Sequence, residues 1–129
     1  MQLSRRAALS LGLSTLALVA CGHKDHEPQP VAAGDTPEMR AKIAYWSREL
    51  DVPVSLMHRV VKRESGYNPA ARNGPYYGLM QILPQTAHTM GYRGPDSGLL
   101  DADTNLHYAG LYLRGAWLVS HHNEDRAVK

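Results

Sequence analysis

Residues 60–69 read VVKRESGYNP, a run that sets one glutamate, Glu64, at the close of an apolar stretch and directly before the helix-stopping pairs Ser65-Gly66 and Asn68-Pro69. A carboxyl group can give up and recover a proton, accept hydrogen bonds or ligate a metal. Which of these is open to Glu64 depends on where its helix aims it. At about 100° per residue it falls within about 20° of Met57 and about 40° of Val60, whereas Lys62 and Arg63 point well away. The carboxyl group is therefore expected on or beside the core-facing stripe. It also sits in the last helical turn, where the negative end of the helix dipole opposes an unpaired carboxylate. A small domain that keeps a glutamate there either uses it for proton transfer or pairs it with Arg63 or Arg72.

The residues that follow favour the first choice. Asn68-Pro69-Ala70 leads into Gly74-Pro75-Tyr76-Tyr77-Gly78-Leu79-Met80-Gln81-Ile82, then Pro84-Gln85-Thr86-Ala87 and Gly91. Glycine and proline at this density build turns in which backbone can approach a ligand closely, and adjacent tyrosines offer flat faces for sugar rings.

The elements that must position these residues read as helices. Thr36-Pro37-Glu38 supplies an N-cap and a first-turn proline, and Met39, Ile43, Trp46 and Leu50 recur on one face of a helix expected to stop near Asp51. A second helix should begin around Pro53, carry Met57, Val60 and Val61 on its apolar stripe, and end at Gly66. Pro84 to Met90 reads as a short helix closed by Gly91. Asp101 or Asp103 should cap a long one whose buried stripe is Leu106, Ala109, Leu113 and Ala116 or Trp117. No segment alternates as a strand, and no internal repeat is present.

Composition narrows the setting. Arg5 and Arg6 precede an apolar stretch through Ala20, the pattern of an export signal and too short to span a membrane comfortably. It ends in Leu18-Val19-Ala20-Cys21, which resembles a bacterial lipoprotein box and accounts for the single cysteine by lipidation. Ser4-Arg5-Arg6 also has the look of a twin-arginine address. Fourteen Lys and Arg residues, two of them in residues 1–20, face twelve Asp and Glu. The exported chain is thus near neutral, its charges scattered, with no basic face for nucleic acid. Residues 21–35, polar and proline-containing, read as a flexible tether, and residues 36–129 as one folded domain without a disulfide. His23 with His26, and His121 with His122, are read as solvated residues rather than metal ligands.

The order Glu64-Ser65-Gly66-Tyr67-Asn68-Pro69, Gly78-Leu79-Met80-Gln81-Ile82, Pro84-x-Thr86-Ala87 and Gly91 resembles the catalytic domain of soluble-type (SLT) lytic transglycosylases, in the lysozyme-like group and similar to glycoside hydrolase family 23. Leu100-Asp101, Asn105-Leu106 and Tyr112-Leu113 match a later helix of that family, so the resemblance covers about residues 38–115. It implies a mainly α, lysozyme-like helical domain acting on peptidoglycan glycan strands without metal or cofactor. By the same resemblance Glu64 is the catalytic acid. It protonates the oxygen between N-acetylmuramic acid and N-acetylglucosamine, then takes the proton of the muramoyl 6-hydroxyl as that oxygen attacks the anomeric carbon, leaving a 1,6-anhydro sugar. An intramolecular nucleophile explains why no second carboxylate is needed. Ser65, Tyr77, Gly78, Leu79, Met80 and Gln81 are the matching substrate-binding positions.

Two departures stand out. Tyr76 occupies a place where the family more often has a small residue. The family's domain also continues into a further helix with a Tyr-Asn-x-Gly-like segment, so this one is expected to be C-terminally short, with nothing in residues 124–129 to replace that tyrosine. A non-catalytic peptidoglycan-binding lipoprotein, or an inactive fragment, stays open as the alternative. Gly22 after the cysteine resembles lipoproteins sent to the outer membrane, which places the domain on the periplasmic face of the envelope.

Overall fold

A computed structural model describes residues 34–129; the export segment, Cys21 and the tether up to residue 33 lie outside the described residues. The first helix, α1, spans Pro37–Glu49. Thr36 caps it by accepting from the Met39 amide at 3.2 Å, and Pro37 occupies the first turn, where its missing N–H costs nothing. Asp35, just ahead, is held by the Arg40 guanidinium at 2.7 and 2.9 Å, which keeps its carboxyl below the ordinary range. Helix α2, Val54–Ser65, buries Leu56, Met57, Val60 and Val61 and stops at Gly66 in the left-handed conformation. Tyr67 follows with φ of 66°, a conformation that costs a side chain on the order of 1 kcal/mol and is held here by burial of the ring.

Between α2 and the next helix lies a minimal hairpin, β1 (Arg72–Asn73) paired antiparallel with β2 (Tyr76–Tyr77) around Gly74-Pro75. Sequence reading expects no strand here. Two residues a side are too few to display the period-two alternation by which a strand is recognised. Helix α3 (Pro84–Thr89) and a 3-10 turn (Asp96–Leu100) lead into α4, Ala102–Val119, whose N-cap is Asp101, accepting from the Thr104 amide at 2.8 Å. A last short helix, α5, spans Glu124–Ala127. The domain is mainly helical, and among the described residues no helix is long and apolar enough to cross a membrane.

The core lies where α1, α2 and α4 meet. Ile43, Leu56, Met57, Val61 and Leu106 are fully covered there, each worth about 1.5–3 kcal/mol of burial. Gly110 lets α4 come close, since a Cβ there would run into Leu50. Asp103 fastens α4 to α1 by pairing with Lys42 and accepting from the Trp46 indole at 3.0 Å. The Lys42 ammonium, and after it the indole, hold the Asp103 carboxyl below its usual range. Ala116 and Trp117 are only half-buried, so the buried stripe of α4 ends at Leu113.

Candidate active site

Glu64 ends α2 and lines a cleft of about 820 Å³. The cleft draws Val60, Arg63 and Glu64 from α2, Asn73, Tyr76, Met80 and Gln81 from the hairpin and its following loop, and Tyr112, Leu113 and Val119 from α4. Residues 126–129, in and after α5, complete it. Glu64 is the only carboxylate side chain among these lining residues. A second hollow, beside the α1–α2 turn and Trp117, contains Arg48 and Asp51 but none of the residues singled out for chemistry.

The carboxylate is placed near the apolar stripe, as the helical spacing predicts, and retains about 30 % of its side-chain exposure. Of the two arginines named as partners, it is Arg63 that pairs with it. Arg63, whose Cα points away, folds its long side chain back and donates to Glu64 Oε1 from Nε at 2.8 Å and from Nη2 at 2.7 Å. The third guanidinium nitrogen, Nη1, donates to the Val128 carbonyl at 2.9 Å. Arg72, the other candidate partner, instead lies 3.5 Å from the centroid of the Tyr77 ring, a cation–π contact.

The loop from Tyr77 to Ile82 is set from behind by a buried asparagine. Asn105 on α4 is wholly inaccessible; its Oδ1 accepts from the Met80 amide at 2.9 Å, and its Nδ2 donates to the Tyr77 and Leu99 carbonyls, each at 2.8 Å. Three segments of chain thereby share one side chain. Gly78 passes it with φ of 73°, and a Cβ there would collide with Asn105 Nδ2. Sequence reading places Asn105 only as a matching position in a helix. A buried polar residue on an apolar face is the signal that marks it for a structural task.

The expected substrate-binding residues divide. Met80 and Gln81 line the cleft. Gln81 adopts φ of 50°, and its Nε2 donates to the carbonyls of Gly78 at 2.9 Å and Ala71 at 3.2 Å. Those two acceptors fix the amide's orientation and leave Oε1 buried with no hydrogen-bond partner, a cost of about 1–3 kcal/mol. Gly78, Leu79, Ser65 and Tyr77 do not line the cleft. Leu79 is fully buried core, because the turn at Gly78 swings it inward. The Ser65 hydroxyl donates to the Val61 carbonyl at 3.1 Å, the local back-bond a helical serine makes when no better partner is near. Tyr77 is taken up by Arg72 and by paired backbone bonds to Ile82 at 3.0 and 3.1 Å.

Tyr76, one of the two adjacent tyrosines read as faces for sugar rings, and Tyr112, which lies outside that pair, line the cleft with 41 % and 60 % exposure. Tyr108 is packed between Tyr92 and His107 instead. Residues 124–129, in which sequence reading finds no replacement for the family's tyrosine, form α5 and its flank, and residues 126–129 line the cleft. No group of three or more His, Cys, Asp or Glu side chains is arranged to hold a metal among the described residues, and His122 lies against the Trp117 ring.

A second cluster backs the exit of α2. His58 and the Tyr67 hydroxyl are 3.3 Å apart; burial pushes the His58 imidazole below its ordinary value of 6.5 and the Tyr67 phenol up. With the geometry in place, comparison with known families matches residues 42–127 to the family model described as Transglycosylase SLT domain.

Proposed function

The chain belongs to the transglycosylase SLT domain family, and from that premise we propose that it is a peptidoglycan lytic transglycosylase with Glu64 as its acid and base. One observation carries this reading: a cleft of glycan-binding size is lined by a single carboxylate side chain. Enzymes that use water, or a protein nucleophile, need two carboxylates across the scissile bond. One carboxylate suffices when the substrate's own 6-hydroxyl attacks. Glu64 passes its proton to the glycosidic oxygen as the C1–O bond breaks, and recovers one from the 6-hydroxyl as the O6–C1 bond forms, so the site returns to its starting state with an anhydromuramoyl product released.

The exposed rings of Tyr76 and Tyr112 suit the apolar faces of sugar rings. Leu18-Val19-Ala20-Cys21 supports lipid anchoring at Cys21, and Gly22 an outer-membrane destination with the domain on the periplasmic side. The test is mass spectrometry of muropeptides released from purified sacculi by the full chain and by Glu64→Gln. Anhydromuramoyl products from the first and a loss of about 10²–10⁴-fold with the second are expected. Sacculi left intact yet bound by both proteins would instead make the chain a glycan-binding module.

A further inference from the structure

Three residues of α2 spaced four apart, Ser55, Arg59 and Arg63, lie along one stripe of the helix. Each takes a partner from the same short segment. Ser55 donates to Glu124 Oε1 at 2.6 Å, Arg59 Nη1 to Asp125 Oδ1 at 2.7 Å, and Arg63 Nη1 to the Val128 carbonyl at 2.9 Å. The segment of α5 is thus a strap that rests on α4, with Ala127 and Val128 half-buried against the core, and is tied to α2 by these polar contacts. Its last fastening is the one that also grips Glu64.

We infer that Arg63 is a positioning residue, a latch through which the docking of the α5 strap orients the Glu64 carboxylate toward the cleft. The inference rests on the reading of Glu64 as the acid. A guanidinium is planar, and its donors form a fixed fork. Aiming Nη1 at Val128 therefore decides where Nε and Nη2 point, and both of those meet Glu64 Oε1. Those are the only hydrogen bonds Glu64 makes through its side chain among the described residues, and they leave Oε2 free for the substrate. A glutamate with three rotatable bonds and some 30 % exposure has nothing else to hold it in one rotamer. Lysine would bring the charge but not the fork.

Two arms test this in the full chain. In the kinetic arm, Arg63→Gln should lower kcat for anhydromuropeptide release about tenfold with KM changed less than twofold, since a misplaced acid slows the proton transfer and leaves glycan contacts alone. Arg63→Lys should behave like Gln rather than like the wild type. Arg59→Gln should lower kcat as well, and the double variant should fall no further than Arg63→Gln alone, because both act through one latch. In the second arm, which needs no activity, trypsin cleavage after Arg126 reports how often the strap is undocked. Coupling is reciprocal, so Glu64→Gln should speed that cleavage about two- to fivefold, the range of a partly exposed ion pair. An unchanged kcat in Arg63→Gln, an additive double variant, or cleavage of Glu64→Gln at the wild-type rate would each overturn the latch. Faster cleavage of Glu64→Gln, together with a wild-type chain that itself releases no anhydromuropeptide, would uphold the latch as a coupling and refute the assignment of Glu64 as the acid.

Discussion

Replacing Asn105 by leucine separates two accounts of how the cleft is built. Leucine keeps the branching and heavy-atom count of asparagine, so if Asn105 only fills space its cost is the overpacking of two larger methyl groups, about 1–3 kcal/mol, and Asn105→Ala, which opens a cavity, is the worse of the two. If its hydrogen bonds hold the loop, the order reverses. Leucine strands the Met80 amide and the Tyr77 and Leu99 carbonyls in a dry site, with bonds of 2.8–2.9 Å lost. At about 1–3 kcal/mol per buried orphan, less what the loop recovers by shifting, the expected loss is about 4 kcal/mol. Alanine leaves room for a water that can bond to all three, which brings its cost to about 2–3 kcal/mol. For a domain whose total stability is about 5–15 kcal/mol, Asn105→Leu should lower Tm by about 15–30 °C. Urea unfolding followed by far-ultraviolet circular dichroism gives the difference directly, and an unchanged m-value would assign it to the folded state. Leucine proving milder than alanine would refute the hydrogen-bond account.

Further outcomes follow from the same contacts. Gly78→Ala, at φ of 73° and against Asn105, should destabilise by about 2–4 kcal/mol and reduce glycan turnover, read by denaturant midpoint and muropeptide release. Asp103→Asn should cost up to about 1 kcal/mol at neutral pH because the pair with Lys42 is partly exposed. Since the Asp103 carboxyl is held below its unfolded value of 3.8, its contribution is full above that pH and vanishes as pH falls through the folded value, so wild type and variant should converge in strong acid. His58, kept neutral by burial, binds fewer protons when folded than when unfolded. Stability should therefore decline as pH drops below 6.5, and His58→Gln should flatten that slope in a series of urea midpoints.

The helices were legible because their signals are local. Thr36-Pro37 and Asp101 cap where they are read to cap, and Gly66 and Gly91 take positive φ beyond α2 and α3. The position of Glu64 was legible for the same reason, since helical period alone puts it beside Met57 and Val60. What the sequence hid is non-local. Sequence reading names Arg63 as a partner for Glu64, but that its guanidinium also reaches Val128 was not legible, because that contact joins α2 to the flank of α5. The gathering of Tyr76 with Tyr112, the turning of Leu79 into the core and the docking of α5 each depend on segments brought together by α4. No residue spacing records them.

Part of the backbone strain and the unmet buried polarity lie at the cleft, while Asp51, His121 and His122 carry positive φ elsewhere in the described residues. Tyr67, three residues past Glu64, and Gln81, within the cleft, are two of five non-glycine residues at positive φ. Gln81 Oε1 is also the single buried side-chain polar atom left unpaired among the described residues. A left-handed glutamine at about 1 kcal/mol and an orphan acceptor at about 1–3 kcal/mol are tolerable only because a fully covered core stands behind them. These costs bring something that a relaxed loop would not. Positive φ at Gln81 turns the chain so that its amide braces Gly78 and Ala71 from one end, while Asn105 braces Tyr77 and Met80 from the other. The loop facing Glu64 is thus pinned on both sides, and the buried Gln81 Oε1 is the cost of that bracing. On the other side of the acid the fastening is a solvent-exposed guanidinium on a four-residue strap. The loop wall is thus held by buried hydrogen bonds and the α5 side by half-exposed ones, so local opening is expected on the α5 side first.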